Sequence, residues 1–166
     1  LGTTNSSIVR MQGGELTIFK SDYKMDTTPS CIGINKKGSH YAGSSALLQL
    51  NKDKLNAMRD FKSESSNIFI EFKRTMGTDK SYFSPYVKRA FTSEELSAEI
   101  LMKLKSFVDD EGIKSVVITV PAKFTINQKD ATVRAAKLAG FEQCELLQEP
   151  IAASMAYGLR SLNKDG

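Results

Sequence analysis

The sequence is poor in the residues that staple small folds or build metal centres. Of its 166 residues only two are cysteine, Cys31 and Cys144, and one is histidine, His40. Two cysteines cannot make a disulfide framework of the secreted kind, and no C-x-x-C pair is present. A zinc site lacks ligands, and a Ser-His-Asp triad would have to use His40 alone. No apolar run approaches the roughly 18 residues of a membrane-crossing helix. The opening Leu1-Gly2-Thr3-Thr4 turns polar at once, without the pattern of a signal peptide. It does not begin with Met, and a piece of a longer protein is expected. Four prolines and eleven glycines exclude collagen-like and low-complexity chains. No internal repeat recurs at a fixed period. The net charge is only +4, and the basic pairs Lys36-Lys37, Lys73-Arg74 and Lys88-Arg89 never grow into a run of five. They read as solvated surface charge, so neither a nucleic-acid nor a membrane partner is expected.

What remains is an ordinary soluble composition, 40% hydrophobic and 25% charged. A chain of this length buries roughly 70% of its unfolded surface without staples, as one compact domain or two small subdomains. The front half reads as β-structure. Residues 5–11 and 15–20 flank Gln12-Gly13-Gly14, whose glycines tolerate positive φ, and so form a hairpin. Thr27-Thr28-Pro29-Ser30 leads into a short strand, Cys31-Ile32-Gly33-Ile34. Residues 36–45 read as a Gly- and Ser-rich loop, 46–61 as a helix through Leu47, Leu50, Leu55 and Met58, 67–72 as a weak strand, and 78–90 as an irregular connector.

The pattern sharpens after Phe91. Thr92 and Glu95 have the spacing of a capping box, in which each side chain satisfies an orphan backbone N–H of the other. Leu96, Ile100, Leu104, Phe107 and Val108 then share one helical face, with Gly112 expected to end the helix. The β-branched run from Ser115 to Val120 predicts a strand buried on both faces, stopped by Pro121. Asn127 is the expected cap of a helix carrying Ala131, Ala135, Leu138 and Ala139, which Gly140 closes. A strand over residues 144–147 follows, then Pro150, where a first helical turn tolerates it, and an Ala-rich helix from Ile151 to Leu159. Helices alternating with strands predict an α/β layer.

Three places have the chemistry of a phosphate site. Gly2-Thr3-Thr4-Asn5 combines a tight turn, whose N–H groups can point one way, with two hydroxyls. Taken alone such a turn is common, and the chain has no G-x-x-x-x-G-K-[ST] loop. Lys73 follows apolar Ile70 and Phe72, which would bury its stem and leave its ammonium to meet phosphoryl charge. Glu149, at a strand end before Pro150, can orient water or a metal's hydration shell, or simply cap the next helix.

In order and spacing these pieces resemble the first lobe of the ATPase domain of the 70-kDa heat-shock chaperone (DnaK-like) family. The resemblance is carried by Leu1-Gly2-Thr3-Thr4-Asn5-Ser6-Ser7, Thr27-Thr28-Pro29-Ser30, Phe72-Lys73-Arg74-x-x-Gly77, Val117-Ile118-Thr119-Val120-Pro121-Ala122-x-Phe124, Ala131-Thr132, Leu138-Ala139-Gly140 and Glu149-Pro150-x-Ala152-Ala153-x-x-Ala156-Tyr157-Gly158-Leu159. Residues 35–66 and 78–90 match poorly. The resemblance implies an α/β fold, lobe I of an actin-like (ribonuclease H-like) ATPase, with a mixed sheet flanked by helices. Residues 1–33 and 91–166 would form its core subdomain, and 34–90 a smaller inserted α/β subdomain. The second lobe and the peptide-binding domain would lie outside this chain.

It further implies ATP hydrolysis by the parent protein, with ATP/ADP and Mg2+ as cofactors, driving the binding and release of unfolded polypeptides in protein folding and stress response. Gly2, Thr3, Thr4 and Asn5 match the family's first phosphate loop. Lys73 matches the lysine supporting the γ-phosphate and the attacking water, and Glu149 the acid holding the Mg2+ hydration shell. Pro121 and Lys129 match an interdomain switch, with Lys129 standing where many relatives have Arg. The partners implied are clients, a J-domain co-chaperone and a nucleotide-exchange factor. Glu145, however, replaces a basic residue near the co-chaperone contact, a charge reversal that works against docking. Lys123 replaces a usual aromatic. A divergent cytoplasmic paralogue is expected. The isolated chain is expected to be inactive, since adenine-binding and half the phosphate donors are missing. The alternatives are a nucleotide-gated binding or regulatory relative with little hydrolysis, and an actin-like scaffold.

Overall fold

A computed structural model describes residues 1–60, 67–108 and 112–162. The fold is mixed α/β. In chain order the elements are β1 (Asn5–Ser6), β2 (Ile8–Gln12), β3 (Glu15–Phe19), β4 (Thr28–Pro29), β5 (Cys31–Ile34), β6 (His40–Ala42), α1 (Ser44–Asp60), β7 (Ile68–Ile70), a 3-10 turn (Phe72–Thr75), β8 (Ser81–Ser84), β9 (Arg89–Thr92), α2 (Ser93–Lys105), β10 (Ser115–Val120), α3 (Ile126–Leu138), β11 (Gln143–Gln148) and α4 (Glu149–Leu162). Strands β1 and β4 pair antiparallel, as do β2 with β3 and β8 with β9; β5 lies between β6 and β7; β10 and β11 are parallel.

The first hairpin forms where the glycines predict it. Gln12 faces Glu15, and the two residues between them, Gly13 and Gly14, take φ of 60° and 84°. Positive φ at both central positions matches the turn to the right-handed strand twist. All four residues of β5 are buried, and α1 covers it through Ala46 and Leu50.

Helix α2 is the spine of the molecule. Its capping box is complete: Thr92 Oγ1 accepts from Glu95 N–H and Glu95 Oε2 accepts from Thr92 N–H. Leu96, Ile100 and Leu104 recur every four residues and enter one core with Ile32, Ile34, Phe69, Phe72 and Phe91. Ala98 and Leu101 enter a second core with Met76, Ile118, Ala131, Ala135 and Phe141. One helix therefore joins the β5 sheet to the layer formed by β10, β11 and α3.

Several expectations are corrected. Helix α2 ends at Lys105, not at Gly112: Phe107 and Val108 donate N–H bonds back only three residues, to Leu104 and Lys105, and Ser106 Oγ donates to Lys103 O at 2.6 Å. This hydroxyl competes for the helical carbonyls and tightens the last turn. The cap of α3 is Thr125, not Asn127, in a second capping box with Gln128. Its other end is as expected: Gly140, at φ 85°, is followed by a bond from Phe141 N–H to Ala136 O.

Strand β10 is not buried on both faces. Ile118 and Val120 are buried, whereas Val117 is 59% exposed. Residues 78–90 contain the hairpin β8–β9, with Lys88 at φ 51° in its loop, and the expected loop over 36–45 contains β6 and the start of α1. Phe61, where the first helix was to end, lies outside the described residues.

The thiols are free, Cys31 in β5 and Cys144 in β11. Burial pushes the Cys31 thiol up to about 12, with Lys54 pulling weakly the other way. The native state thus holds the proton to higher pH than the unfolded chain. This contribution is present below about pH 9 and lost as pH rises toward 12. Urea midpoints should therefore fall more steeply with pH over that window in the parent sequence than in Cys31→Ala; parallel curves would contradict it.

Gly77 has φ 70°, and a Cβ there would lie 2.7 Å from the carbonyl carbon and oxygen of Asn127. At Gly13, also at positive φ, a Cβ meets nothing within 4 Å. Gly77→Ala is expected to cost at least ~2 kcal/mol, a fall in Tm on the order of 5 °C, and Gly13→Ala about half of that or less. Equal losses in thermal melts would show that the packing of Gly77 on α3 is not the cause.

Candidate functional site

The turn at residues 2–5 is closed from below by a ring of hydrogen bonds. Gly2 N–H donates to Ser6 Oγ at 3.0 Å, and Ser30 Oγ donates to Gly2 O at 2.8 Å. The two hydroxyls lie 2.9 Å apart. With Ser30's proton on Gly2 O, it is Ser6 that donates to Ser30, so each hydroxyl gives once and receives once. Ser30 N–H adds a bond to Thr4 O at 2.8 Å. Both serines are buried, on β1 and just after β4. Gly2 is obligatory, since a Cβ there would lie 1.8 Å from Asn5 O. Above the ring Thr3 is half-buried, and Thr4 and Asn5 are exposed. Among the described residues their side chains make no hydrogen bond to protein.

Lys73 lies in the 3-10 turn that follows β7. The chain enters this turn through Glu71 in the left-handed region, at φ 56°. That reversal buries Phe72 and Lys73 together; Lys73 is 5% exposed. A buried ammonium must be partnered. Its Nζ donates to Leu1 O at 2.6 Å and to Glu149 Oε1 at 3.2 Å, across 72 and 76 residues of sequence. The Phe124 ring centroid lies 5.5 Å away, within reach of a cation–π contact. Glu149 is the first residue of α4, where a negative charge also suits the helix dipole, and its side chain is 47% exposed. The pair is thus dry on the lysine side and open on the glutamate side.

The structure therefore brings together Lys73, Glu149 and the Leu1–Gly2 end of the turn. Pro121 joins them indirectly: it follows β10, its carbonyl accepts from Phe124 N–H at 3.1 Å, and that bend carries the Phe124 ring toward Lys73. Lys129 lies in the first turns of α3, half-buried, and no hydrogen bond or ion pair ties its side chain to the cluster among the described residues. Glu145 and Lys123 are exposed. His40 pairs with Glu99 at 2.8 Å and meets Phe91 edge-on, not a serine. A surface hollow of about 250 Å3, lined by Ser21, Thr28, Ser44 and Lys103 among others, includes none of the cluster. No group of three or more potential metal-ligating side chains gathers among the described residues. The half-exposed Glu149 carboxylate is a single hard oxygen donor, which is compatible with a cation that keeps most of its own waters.

Leu1, Ser6, Ser30 and Phe124 are site residues that the motif reading leaves unassigned. Ser6 and Ser30 fall within the Leu1–Ser7 and Thr27–Ser30 motifs, and their signal is two small polar residues flanking a Gly turn and a Pro strand. The Phe124 contact has no local signal.

The arrangement is a glycine turn whose leading carbonyl, at Leu1, meets a lysine–carboxylate pair. The whole chain, residues 1–166, matches the family described as Hsp70 protein, and the chain belongs to that family. It is 37% identical over 182 residues to "Chaperone protein dnaK" of Guillardia theta, covering 99% of this chain and 28% of that protein. It is 33% identical over 180 residues to "Stromal 70 kDa heat shock-related protein, chloroplastic" of Pisum sativum, covering 99% of this chain and 25% of that protein. The chain thus spans about a quarter of the length of these curated relatives. Both alignments exceed its 166 residues, so the relatives carry extra residues within the matched region.

Ser30→Ala removes one link of the ring and leaves Gly2 O and Ser6 Oγ short of a partner. It should destabilise the chain by about 1–3 kcal/mol, against under ~0.5 kcal/mol for Ser154→Ala on the exposed face of α4. Chemical denaturation of both variants checks this; a Ser30→Ala loss no larger than the control's would mean that the ring is not holding the turn.

Proposed function

We propose that the chain is part of the nucleotide-binding domain of a chaperone ATPase, the first lobe of an actin-like fold, in which residues 2–5, Lys73 and Glu149 form one side of an ATP–Mg2+ site. The observation that carries this reading is the convergence of Leu1, Lys73 and Glu149 through contacts of 2.6 and 3.2 Å. In the same reading, residues 1–33 and 91–166 are the core unit and 34–90 the smaller one.

The chemistry follows from the donors. Lys73 spends two of its three N–H groups on Leu1 O and Glu149, and the third is left for developing phosphoryl charge. Its dry setting strengthens that interaction. The Thr3 and Thr4 hydroxyls and the Asn5 amide, without hydrogen-bond partners among the described residues, supply further donors to phosphate oxygens. The second oxygen of Glu149 orients water from the open side and would hold a water of the Mg2+ shell. When bound, Mg2+ neutralises phosphate charge. Catalysis here is positioning and electrostatics, with no covalent intermediate.

Client polypeptides, a J-domain co-chaperone and an exchange factor belong to this proposal for the parent protein, with Glu145 opposing the usual co-chaperone contact. No described helix is long and apolar enough to cross a membrane. The cytoplasm is the compartment we propose, although one matching relative is described as chloroplastic.

The test is phosphate release by the full-length parent and its Lys73→Ala variant. Loss of one developing-charge donor is expected to lower kcat about 10²–10³-fold, with the variant still folded by circular dichroism. Equal, near-zero turnover in both would instead identify a nucleotide-gated binding protein, and nucleotide-dependent filaments in light scattering an actin-like scaffold.

A further inference from the structure

We propose that Thr75, Tyr82 and Ser93 form a hydroxyl network that positions the Lys73 ammonium; this rests on the role proposed above for Lys73. Thr75 closes the 3-10 turn two residues after Lys73. Its Oγ1 lies 3.1 Å from Phe72 O, 2.7 Å from the Tyr82 hydroxyl and 2.6 Å from Ser93 Oγ. A hydroxyl has one proton and two lone pairs. Phe72 O can only accept, so Thr75 donates to it, and Tyr82 and Ser93 both donate to Thr75. The centre is then saturated.

The three partners come from three elements. Phe72 O belongs to the peptide bond that leads into Lys73, Tyr82 lies on β8, and Ser93 is the first residue of α2 and fully buried. The next residue of the loop is held on the same helix, since Ser97 Oγ donates to Met76 Sδ at 3.4 Å. The other end of the turn begins at left-handed Glu71, a conformation that a side chain other than glycine's does not favour by itself. The backbone carrying Lys73 is therefore held in place from the Thr75 side, by α2 and β8. At the far end of the side chain, Nζ must meet Leu1 O and Glu149 at 2.6 and 3.2 Å. A shift of the turn by a fraction of an ångström breaks one of these contacts. Thr75 is accordingly a positioning residue that acts through Lys73.

The experiment uses the full-length parent and measures phosphate release, nucleotide KM and Tm. Thr75→Val keeps the shape and removes the hydroxyl; kcat should fall about tenfold or more with KM little changed, since misplacement affects the transition state. Thr75→Ser, which restores the hydroxyl, should return kcat to within about twofold of the parent. In a Lys73→Ala background, Thr75→Val should cost nothing further in single-turnover rate, because the group it positions is gone. Parent-like kcat in Thr75→Val overturns the network, as does the same fold-loss with and without Lys73. If Thr75→Val does not fold, Tyr82→Phe decides: it removes one donor, should lower kcat severalfold, and an unchanged kcat overturns the proposal. Equal turnover by the parent and Lys73→Ala sinks the reading of the site, and the network with it; a dead Lys73→Ala beside a normal Thr75→Val sinks the network alone.

Discussion

A single ammonium group in a place that water barely reaches organises this chain. An unpartnered charge at the position of Lys73 would cost several kcal/mol, so the fold has to deliver partners to it. They arrive from three directions: the Leu1 carbonyl before the first strand, the Glu149 carboxylate at the head of the last helix, and the Phe124 ring on the bend after β10. None is a neighbour in sequence. The ion pair is consequently a constraint on the relative placement of the chain's two ends and its centre, beyond any stability it adds.

The placement is enforced by helix α2. With Leu96, Ile100 and Leu104 in one core and Ala98 and Leu101 in the other, the two layers cannot shift independently. The turn bearing Lys73 lies between these cores, with Phe72 packed in one and Met76 in the other. Interiors packed at crystal-like density transmit small displacements rather than absorb them. Polar groups lock the surfaces of this frame, through two capping boxes and the serine ring beneath residues 2–5.

Much of this was legible in the sequence wherever the physics is local. The Gly13-Gly14 turn, the Thr92–Glu95 cap and the Gly140 stop each depend on residues a few positions apart, and each lies where the pattern puts it. The β-branched run of β10 was equally plain, but which of its faces would be covered depends on what packs there, and Val117 stands open. Asn127 lost the cap to Thr125 because Gln128 reaches back to Thr125 and completes a box. The β8–β9 hairpin is not legible from pattern, because Ser81-Tyr82-Phe83-Ser84 and Arg89-Ala90-Phe91-Thr92 mix polar and aromatic residues without a clean alternation. At the site, the turn, Lys73 and Glu149 were visible as separate motifs, whereas the bonds among them are tertiary. The Ser6–Ser30 contact spans 24 residues and the Lys73–Glu149 contact 76; no window of sequence contains either.

The turn at Gly2 has a genetic corollary. Any residue but glycine brings a carbon to within 1.8 Å of the Asn5 carbonyl oxygen, and every missense change in a glycine codon introduces such a carbon. Elsewhere in the chain a neighbouring codon often encodes a chemically similar replacement. Here the code contains no synonym for the missing side chain, so drift at that triplet is confined to its third base.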